Sequence, residues 1–337
     1  MTDLIFNRFQ ETFNKTTQNA ALAAYKEIQK LHKEILNPET TDFKALGRLI
    51  DKAAVFAMQE VFETQSHFSI EIKGSEGRKD TRRDGIASPD LYGSYGPAKG
   101  IRVEIVNDAV EGTSSASRNL PGSTSVLAAV LNQKNGLVPT GNFDYMSKLV
   151  GPPQVAGKIS LEFSPTENFK IALKELKIKN PSDLAVVILD RPRNQFEIES
   201  AQKLGITTIL IQAGDLMPSL LAVQDPKIFA SIKDSKVPKN IKGLLIMGSG
   251  GWEEGIIAAA AAKALGGHAE GRIYSEEGQV MEQAKIMGTS ELVPADKSSI
   301  LVSTTPITQD PWFSIAGITN DLKSATISIT HQGMENK

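Results

Sequence analysis

Two carboxylates and a hydroxyl stand within six residues of one another in Asp108-Ala109-Val110-Glu111-Gly112-Thr113. In the preceding residues, 101–107, apolar side chains alternate with Arg102 and Glu104, and this period of two predicts a β-strand. The strand would deliver both acids to a glycine-containing turn, and oxygen ligands of this kind suit hard divalent cations that orient a water. Because Asp, Gly and Thr are also common turn residues, a polar turn without chemistry is the alternative interpretation.

Three further acids stand where they could join this pair. Asp51 lies on a predicted helix beside Ala54 and Val55, so its face would turn inward, and a bound metal ion would neutralise a buried carboxylate there. Glu76 lies in a turn between two glycines, and Glu254 follows a glycine-rich segment, 248–251, that opens a helix. The alternatives are a surface Asp51 paired with Arg48, an ordinary loop acid at 76, and a helix N-terminal acid at 254.

A pair of arginines indicates anion binding. Arg191 and Arg193 flank Pro192 directly after a predicted strand, and the carboxyl ends of strands in an open α/β sheet are where anions bind. Tyr145 and Lys148 precede a Gly-Pro-Pro sequence and could add donors to a phosphate, or could face solvent.

Hydrophobic periodicity predicts the elements that must position these side chains. Helices are predicted over 10–36 and 41–64, strands over 68–73, 101–107 and 126–132, and a loop over 74–100. After the Gly-Pro-Pro sequence at 151–153, predicted strands over 159–163, 184–189, 206–211 and 243–247 are each followed by a predicted helix. This alternation favours βαβ units in a mostly parallel sheet. At 337 residues the chain suits two domains, an α+β metal-binding domain over 1–153 and an α/β domain over 154–337.

Composition excludes several classes of chemistry. The chain has no cysteine and only four scattered histidines, which excludes disulfides and thiol catalysis and leaves carboxylates as the metal ligands. The formal net charge is −2 and no long basic run occurs, so we expect neither a nucleic-acid partner nor an anionic membrane surface. The first residues lack the apolar core of a signal peptide and no segment is apolar enough to span a membrane, so we expect a cytoplasmic protein.

Between Ala21 and Ile318 the chain resembles the class II fructose-1,6-bisphosphatases of the GlpX type, with seven motifs in the same order. The D-P-[IL]-E-G-T motif corresponds to Asp108–Thr113. The others correspond to 50–55 (A-D-G-A-A-V), 75–78 (G-E-G-E), 145–149 (Y-M-E-K-L), 191–194 (K-P-R-H), 213–215 (D-G-D) and 250–255 (G-G-A-P-E-G). The ordered set is much more specific than any single motif.

The resemblance implies a fold and a function. The fold would be the layered αβαβα sandwich of the lithium-sensitive sugar phosphatases. The activity would be Mn²⁺- or Mg²⁺-dependent hydrolysis of the 1-phosphate of fructose 1,6-bisphosphate, in a homo-oligomer, either a dimer or a tetramer. The implied metal ligands are Asp51, Glu76, Asp108, Glu111 and Glu254. The implied catalytic residues are Thr113, Asp51 and Glu76, which would orient and deprotonate the attacking water. The implied substrate contacts are Glu111, Gly112, Thr113, Tyr145, Arg191, Pro192, Arg193, Ala213, Gly214, Asp215 and Gly251.

The departures from the family pattern leave the substrate open. Ala109 replaces the motif proline, Arg78 replaces the second acid of the turn at 75–78, Ala213 replaces an acid that would contact the sugar, and Asn194 replaces a histidine. The alternatives are a phosphatase for sedoheptulose 1,7-bisphosphate or an inositol phosphate, and a catalytically impaired sugar-phosphate-binding protein. A nucleotide-binding oxidoreductase built on the glycine-rich segment is disfavoured, because the third glycine of a dinucleotide fingerprint would fall at Glu253.

Overall fold

The computed structural model describes residues 3–33, 39–75, 90–139, 145–274 and 285–337. The helices in these ranges are α1 (Asp3–Leu31), α2 (Phe43–Thr64), α3 (Thr113–Ser117), α4 (Pro165–Glu175), α5 (Gln195–Lys203), α6 (Leu216–Ala222), α7 (Trp252–Leu265) and α8 (Thr289–Leu292). The strands are β1 (Phe68–Ser75), β2 (Ser94–Tyr95), β3 (Ile101–Glu111), β4 (Thr124–Leu131), β5 (Tyr145–Gly151), β6 (Leu184–Leu189), β7 (Thr207–Ile211), β8 (Gly243–Gly251), β9 (His268–Tyr274), β10 (Ile286–Gly288), β11 (Ile300–Pro306), β12 (Ile327–Thr330) and β13 (Gly333–Asn336).

The first sheet has seven strands in the order β13-β12-β11-β4-β3-β1-β2. Alternate residues of its central strands enter two different cores. Ile105 and Leu127 pack with the buried phenylalanines of α1 and the apolar face of α2, whereas Val106 and Val126 pack towards α7. The sheet is therefore covered on both faces, as its continuously apolar central strands require.

Helix α7 lies between the two sheets. Its residues from Trp252 to Ala262 are all buried, and it has no polar face because it meets protein on every side. The run of alanines from Ala258 to Ala262 keeps the helix narrow enough to contact a sheet on each side. Among the described residues, no helix combines the length and apolar character that a membrane crossing needs.

The second sheet has six strands in the order β10-β9-β5-β8-β6-β7. One face packs on α6 and α7, and the other packs on α4 and α5 through residues such as Leu149, Val186 and Phe169. The layers are thus α1 and α2, the first sheet, α6 and α7, the second sheet, and α4 and α5. The predicted layered αβαβα architecture is confirmed.

The second sheet differs from the prediction of a mostly parallel sheet. Among the described strands of this sheet, only β6 with β7 and β6 with β8 are parallel pairs, while β5 is antiparallel to both β8 and β9, and β10 is antiparallel to β9. The cause is the insertion of β5 between β8 and β9, which run in the same direction on either side of it. The local βαβ pattern could not reveal a strand contributed from outside that segment.

The predicted strand over 159–163 is also wrong. These residues form turns, and Asn168 takes up their backbone groups: Ser160 N–H donates to Asn168 Oδ1 at 2.9 Å, and Asn168 Nδ2 donates to Ser160 O at 2.8 Å. Leu161 N–H donates to Glu270 Oε2 at 2.7 Å. Side chains therefore satisfy the groups that a neighbouring strand would otherwise pair.

The sheets exchange strands across residue 153. Strand β5 precedes this point but lies in the second sheet, and β11 to β13 follow it but lie in the first sheet. The two-domain division at 153 stays a prediction about folding units. The sheets themselves are each built from both parts of the chain.

Candidate active site

A cleft of about 470 Å³ lies where β3, β8 and helices α2 and α3 meet. Most of the implied site residues line it: Asp51, Glu111, Gly112, Thr113, Tyr145, Arg191, Arg193, Ala213, Gly214, Asp215, Gly251 and Glu254. Pro192, which opens the short 3-10 turn Pro192–Asn194, and Asp108 are not part of the lining, and Glu76 lies outside the described residues. Chain segments that are far apart in sequence thus meet at one concave surface.

A cluster of three buried carboxylates lies at the base of the cleft. Oxygens of Asp108, Glu111 and Glu254 all lie within 4.8 Å of one another. Oxygens that share one cation at roughly 2.0–2.6 Å can be at most about 4–5 Å apart, so the spacing fits a single coordination sphere. An all-carboxylate donor set suits a hard divalent cation, and the three acids could hold one.

A β-bulge brings Asp108 and Glu111 to the same side of β3. Asp108 pairs with Val126 and Glu111 pairs with Thr124, so three steps along β3 match two steps along β4. In a regular strand, residues three apart face opposite sides, and one extra residue corrects that parity. Sequence spacing alone would have placed the two acids on opposite faces.

Glu254 reaches the cluster from the first turn of α7. Its carboxylate lies against the backbone of Gly251: a Cβ atom on that glycine would stand 1.7 Å from Glu254 Oε2. Oε2 is buried and has no hydrogen-bond partner within the described ranges. A buried anionic oxygen left in this way is costly, and a bound cation would satisfy it.

Thr113 and Asp51 form a hydrogen-bonded pair next to the carboxylate cluster. Thr113 Oγ1 lies 3.1 Å from Asp51 Oδ1 and 2.9 Å from Val110 O. Gly112 precedes it with φ +79°, and a side chain there would meet Gly122 O at 2.5 Å, so only glycine lets the chain turn here. Asp51 therefore lies inside the cleft. Nη1 of Arg48 is buried and has no hydrogen-bond partner in the described part of the chain, so this atom does not bind Asp51.

Tyr145, Arg191 and Arg193 form the opposite wall. The Arg193 guanidinium lies 4.7 Å from the centre of the Tyr145 ring, and its Nε and Nη2 donate to Ser249 O at 3.3 and 3.2 Å. Arg191 Nη1 donates to Asp190 O at 2.8 Å and to Gln212 Oε1 at 3.1 Å. Both cations are thereby fixed in place by backbone and amide oxygens.

Asn194, which stands where the resembled motif has histidine, ties two strand ends together. Its Nδ2 donates to Leu189 O at 2.9 Å, and its Oδ1 accepts from Ser249 N–H at 2.8 Å. The amide supplies a donor and an acceptor at once, which a neutral imidazole also can. The departure therefore preserves a structural role beside Arg193.

A buried ion pair joins Lys148 to Asp215 at the floor of the cleft. Lys148 Nζ lies 2.8 Å from the Asp215 carboxylate, and the two side chains are 2% and 7% exposed. A Cβ atom on Gly250 would stand 2.3 Å from Asp215 Oδ2, so the pair packs directly on this glycine. Lys148 was expected either to donate to a phosphate or to face solvent, and it is instead buried against Asp215. A lysine within the apolar strand Met146–Val150 was the signal that it needed a buried partner.

The structure adds three cations that the motif comparison did not include. Lys44 and Arg48 of α2 and Arg118 after α3 line the cleft beside the acids. Their spacing gave a weak signal, since Lys44, Arg48 and Asp51 share one helical face.

The layered fold and its acidic, arginine-walled cleft define a sugar-phosphatase-like α/β protein. A sequence profile described as bacterial fructose-1,6-bisphosphatase, glpX-encoded, matches residues 10–335. The chain belongs to this family.

Curated relatives carry the name D-fructose 1,6-bisphosphatase class 2/sedoheptulose 1,7-bisphosphatase. The relative from Crocosphaera subtropica is 35% identical over 236 residues, which cover 67% of this chain and 63% of the relative. The relative from Thermosynechococcus vestitus is 34% identical over 241 residues, covering 69% and 64%, and that from Nostoc sp. is 34% identical over 258 residues, covering 74% and 68%. The chain thus matches a little under two thirds of the length of the first two.

Proposed function

We propose that this protein is a metal-dependent phosphomonoesterase that hydrolyses the 1-phosphate of fructose 1,6-bisphosphate. The observation that carries the proposal is the buried cluster of Asp108, Glu111 and Glu254 beside the Thr113–Asp51 pair in one cleft. Membership of the glpX-encoded family and the names of the relatives support the same activity.

The metal would be Mn²⁺ or Mg²⁺, held by Asp108, Glu111 and Glu254, with Asp51 and the predicted ligand Glu76. A divalent cation there would neutralise phosphoryl oxygens and lower the pKa of a coordinated water. The unsatisfied Oε2 of Glu254 and the spacing of the three carboxylates support this assignment.

Thr113 and Asp51 would manage the proton of the attacking water. When Thr113 Oγ1 donates to Asp51, its lone pairs are free to accept a hydrogen bond from water and orient it for in-line attack. Asp51, or the predicted Glu76, would receive the proton of the water as its oxygen bonds to phosphorus. The bond between phosphorus and the sugar oxygen would break, and the departing sugar oxygen would take up a proton from solvent. Phosphoryl transfer needs positioning and charge stabilisation more than covalent chemistry, so this modest machinery is sufficient.

The far side of the cleft would hold the rest of the substrate. Arg191, Arg193 and Tyr145 would bind a second phosphate, and Gly112, Gly214 and Gly251 would give the sugar close access to the backbone. Asp215, paired with Lys148, would accept hydrogen bonds from sugar hydroxyls. Because position 213 is alanine, Asp215 would be the acid of the pair 213 and 215 that accepts these hydrogen bonds.

The relatives' names favour sedoheptulose 1,7-bisphosphate as a second candidate substrate. Phosphate release should be measured on both bisphosphates, on fructose 6-phosphate and on an inositol phosphate, with Mn²⁺, with Mg²⁺ and with a chelator. We expect metal-dependent release from a bisphosphate. No release from any of these substrates with either metal would refute the proposal and favour a sugar-phosphate-binding protein.

We also propose a homo-oligomer, dimer or tetramer, in the cytoplasm, without a nucleic-acid partner. Sedimentation velocity would test the assembly, since a monomer across the micromolar range would exclude it.

A further inference from the structure

One face of helix α2 forms a basic wall above the carboxylate cluster. Lys44, Gly47, Arg48 and Asp51 all line the cleft, at the three- and four-residue spacing that places side chains on one side of a helix. Gly47 lets α3 approach closely, because a Cβ atom there would stand 2.7 Å from Thr113 Cγ2. Arg118, which caps the C-terminus of α3, lines the same side.

Arg48 differs from the arginines of the opposite wall in its hydrogen bonding. Arg193 spends its Nε and Nη2 donors on Ser249 O, and Arg191 donates to Asp190 O and Gln212. Nη1 of Arg48 is instead buried with no partner in the described ranges. Arg48 lines the polar cleft, and a buried guanidinium donor of a lining residue that lacks an acceptor points to an acceptor that the ligand supplies.

Arg118 lines the same cleft, and its exposed side chain is oriented by contacts with Ser114 and Phe43. Its Nη1 donates to Ser114 O at 3.0 Å and to Ser114 Oγ at 2.9 Å, and its guanidinium lies 4.6 Å from the centre of the Phe43 ring. Stacking and hydrogen bonding fix the plane of the guanidinium before a ligand arrives, which lowers the entropy lost on binding.

We propose that Arg48, Arg118 and Lys44 form a phosphate-binding subsite on the α2–α3 wall of the cleft, separate from Arg191 and Arg193. The inference rests on the proposed phosphatase function for its substrate, and its ligand is a phosphate group. That group is either free inorganic phosphate or the distal phosphate of a bisphosphate substrate, and in the second case the distal phosphate lies here and not against Arg191 and Arg193. Gly47 of this wall packs against Thr113, which is hydrogen-bonded to Asp51, so the subsite would lie beside the Thr113–Asp51 pair.

The substitution Arg48→Gln tests the subsite, with Lys52→Gln as the matched control. Lys52 is an exposed lysine on the same helix, outside the cleft, with its Nζ 5.6 Å from the centre of the Phe56 ring. Because hydrogen bonds to charged groups contribute strongly to binding, we expect R48Q to weaken phosphate binding roughly tenfold or more. The phosphate affinity of K52Q should equal that of wild type. R48K should recover part of the loss because it restores the charge without the planar donor pair.

Two measurements identify the source of the phosphate. A rise in KM for fructose 1,6-bisphosphate, with little change in kcat and none in KM for fructose 1-phosphate, assigns the subsite to the distal phosphate. Weaker binding of inorganic phosphate, measured by calorimetric titration in Mg²⁺, together with unchanged KM values, assigns it to free phosphate.

The proposal would be overturned if the KM values and the phosphate dissociation constant of R48Q both lie within twofold of wild type, or if only kcat is lowered. The titration needs no turnover, so it decides the subsite even if wild type hydrolyses no sugar phosphate, and the two failures stay distinguishable. If circular dichroism shows that R48Q is unfolded, Arg118→Gln decides by the same criteria.

Discussion

The substitution Gly251→Ala should disable the proposed metal-binding cluster of Asp108, Glu111 and Glu254 without replacing any of these three acids. The Gly251 backbone, at φ −67° and ψ 149°, suits alanine, so the substitution strains no torsion angle. The new Cβ atom would lie 1.7 Å from Glu254 Oε2 and 2.5 Å from Oε1, against an ordinary contact of 3.4 Å or more. The carboxylate must therefore leave its place, because the flexible end of this side chain gives way more easily than the strand.

The displacement can be converted into an affinity. Oε2 has to move by about 1.7 Å, whereas metal–ligand distances tolerate only roughly 0.2 Å, so Glu254 is lost from the coordination sphere. Losing even an outer-shell partner costs roughly 10- to 100-fold in metal affinity, and we expect at least this much for Gly251→Ala. Unfolding free energy should change by less than about 1 kcal/mol, since a compatible glycine-to-alanine exchange is near neutral or stabilising.

Calorimetric titration with Mn²⁺ measures the effect directly, with activity against Mn²⁺ concentration as the second readout. Glu254→Gln gives the expected size of the loss. Gly288→Ala is the control, because its Cβ atom would have no neighbour closer than 4.0 Å. If G251A keeps the Mn²⁺ affinity of wild type while E254Q loses affinity, Glu254 does not bind the metal from a position packed against Gly251.

Three further predictions address the acids, the buried ion pair and pH. Asp108→Asn or Glu111→Gln should lower turnover by orders of magnitude while circular dichroism stays native; near-normal Mn²⁺-dependent turnover in both would exclude the metal assignment. Lys148→Met should lower the free energy of unfolding by about 3 kcal/mol or more, because it leaves Asp215 buried without its cation. Urea denaturation measures this loss, and Asp215→Asn, which removes the charge of the other partner, is the variant for comparison. Burial lowers the pKa of His268 to about 4, so the folded state resists protonation that the unfolded chain accepts near pH 6.5. The free energy of unfolding should therefore decrease as the pH is lowered from 7 to 5, and over this range wild type should lose about 2 kcal/mol more than His268→Gln. Equal slopes of unfolding free energy against pH for the two proteins would contradict this prediction.

Helix α2 and strand β6 followed from the sequence, because local physics is decisive there. Helix α1 instead spans Asp3–Leu31 and not the predicted 10–36, and β3 continues to Glu111 and does not end at 107. The apolar face of α2 and its N-cap Asp42, which accepts from Ala45 N–H at 2.9 Å, place the helix within two residues of the predicted start. The predicted strand over 184–189 coincides with β6, because a short apolar run between turn residues has few alternatives. The prediction at 159–163 failed where a side chain, Asn168, competed for the backbone.

The sequence by itself identified the candidate donors of the site and their order along the chain. Asp108, Glu111, Thr113 and Glu254 are recognisable because chemistry restricts residue type, and residue type is written in the sequence.

Only the tertiary structure decided how these residues face one another. The bulge that turns Asp108 and Glu111 to one side depends on pairing with β4, and Tyr145 comes opposite Gly251 only because β5 inserts between β8 and β9. The burial of Lys148 against Asp215 and the unsatisfied donor of Arg48 likewise arise from packing between distant segments. Register and burial are set by contacts across the whole fold, so no local pattern in the sequence could specify them.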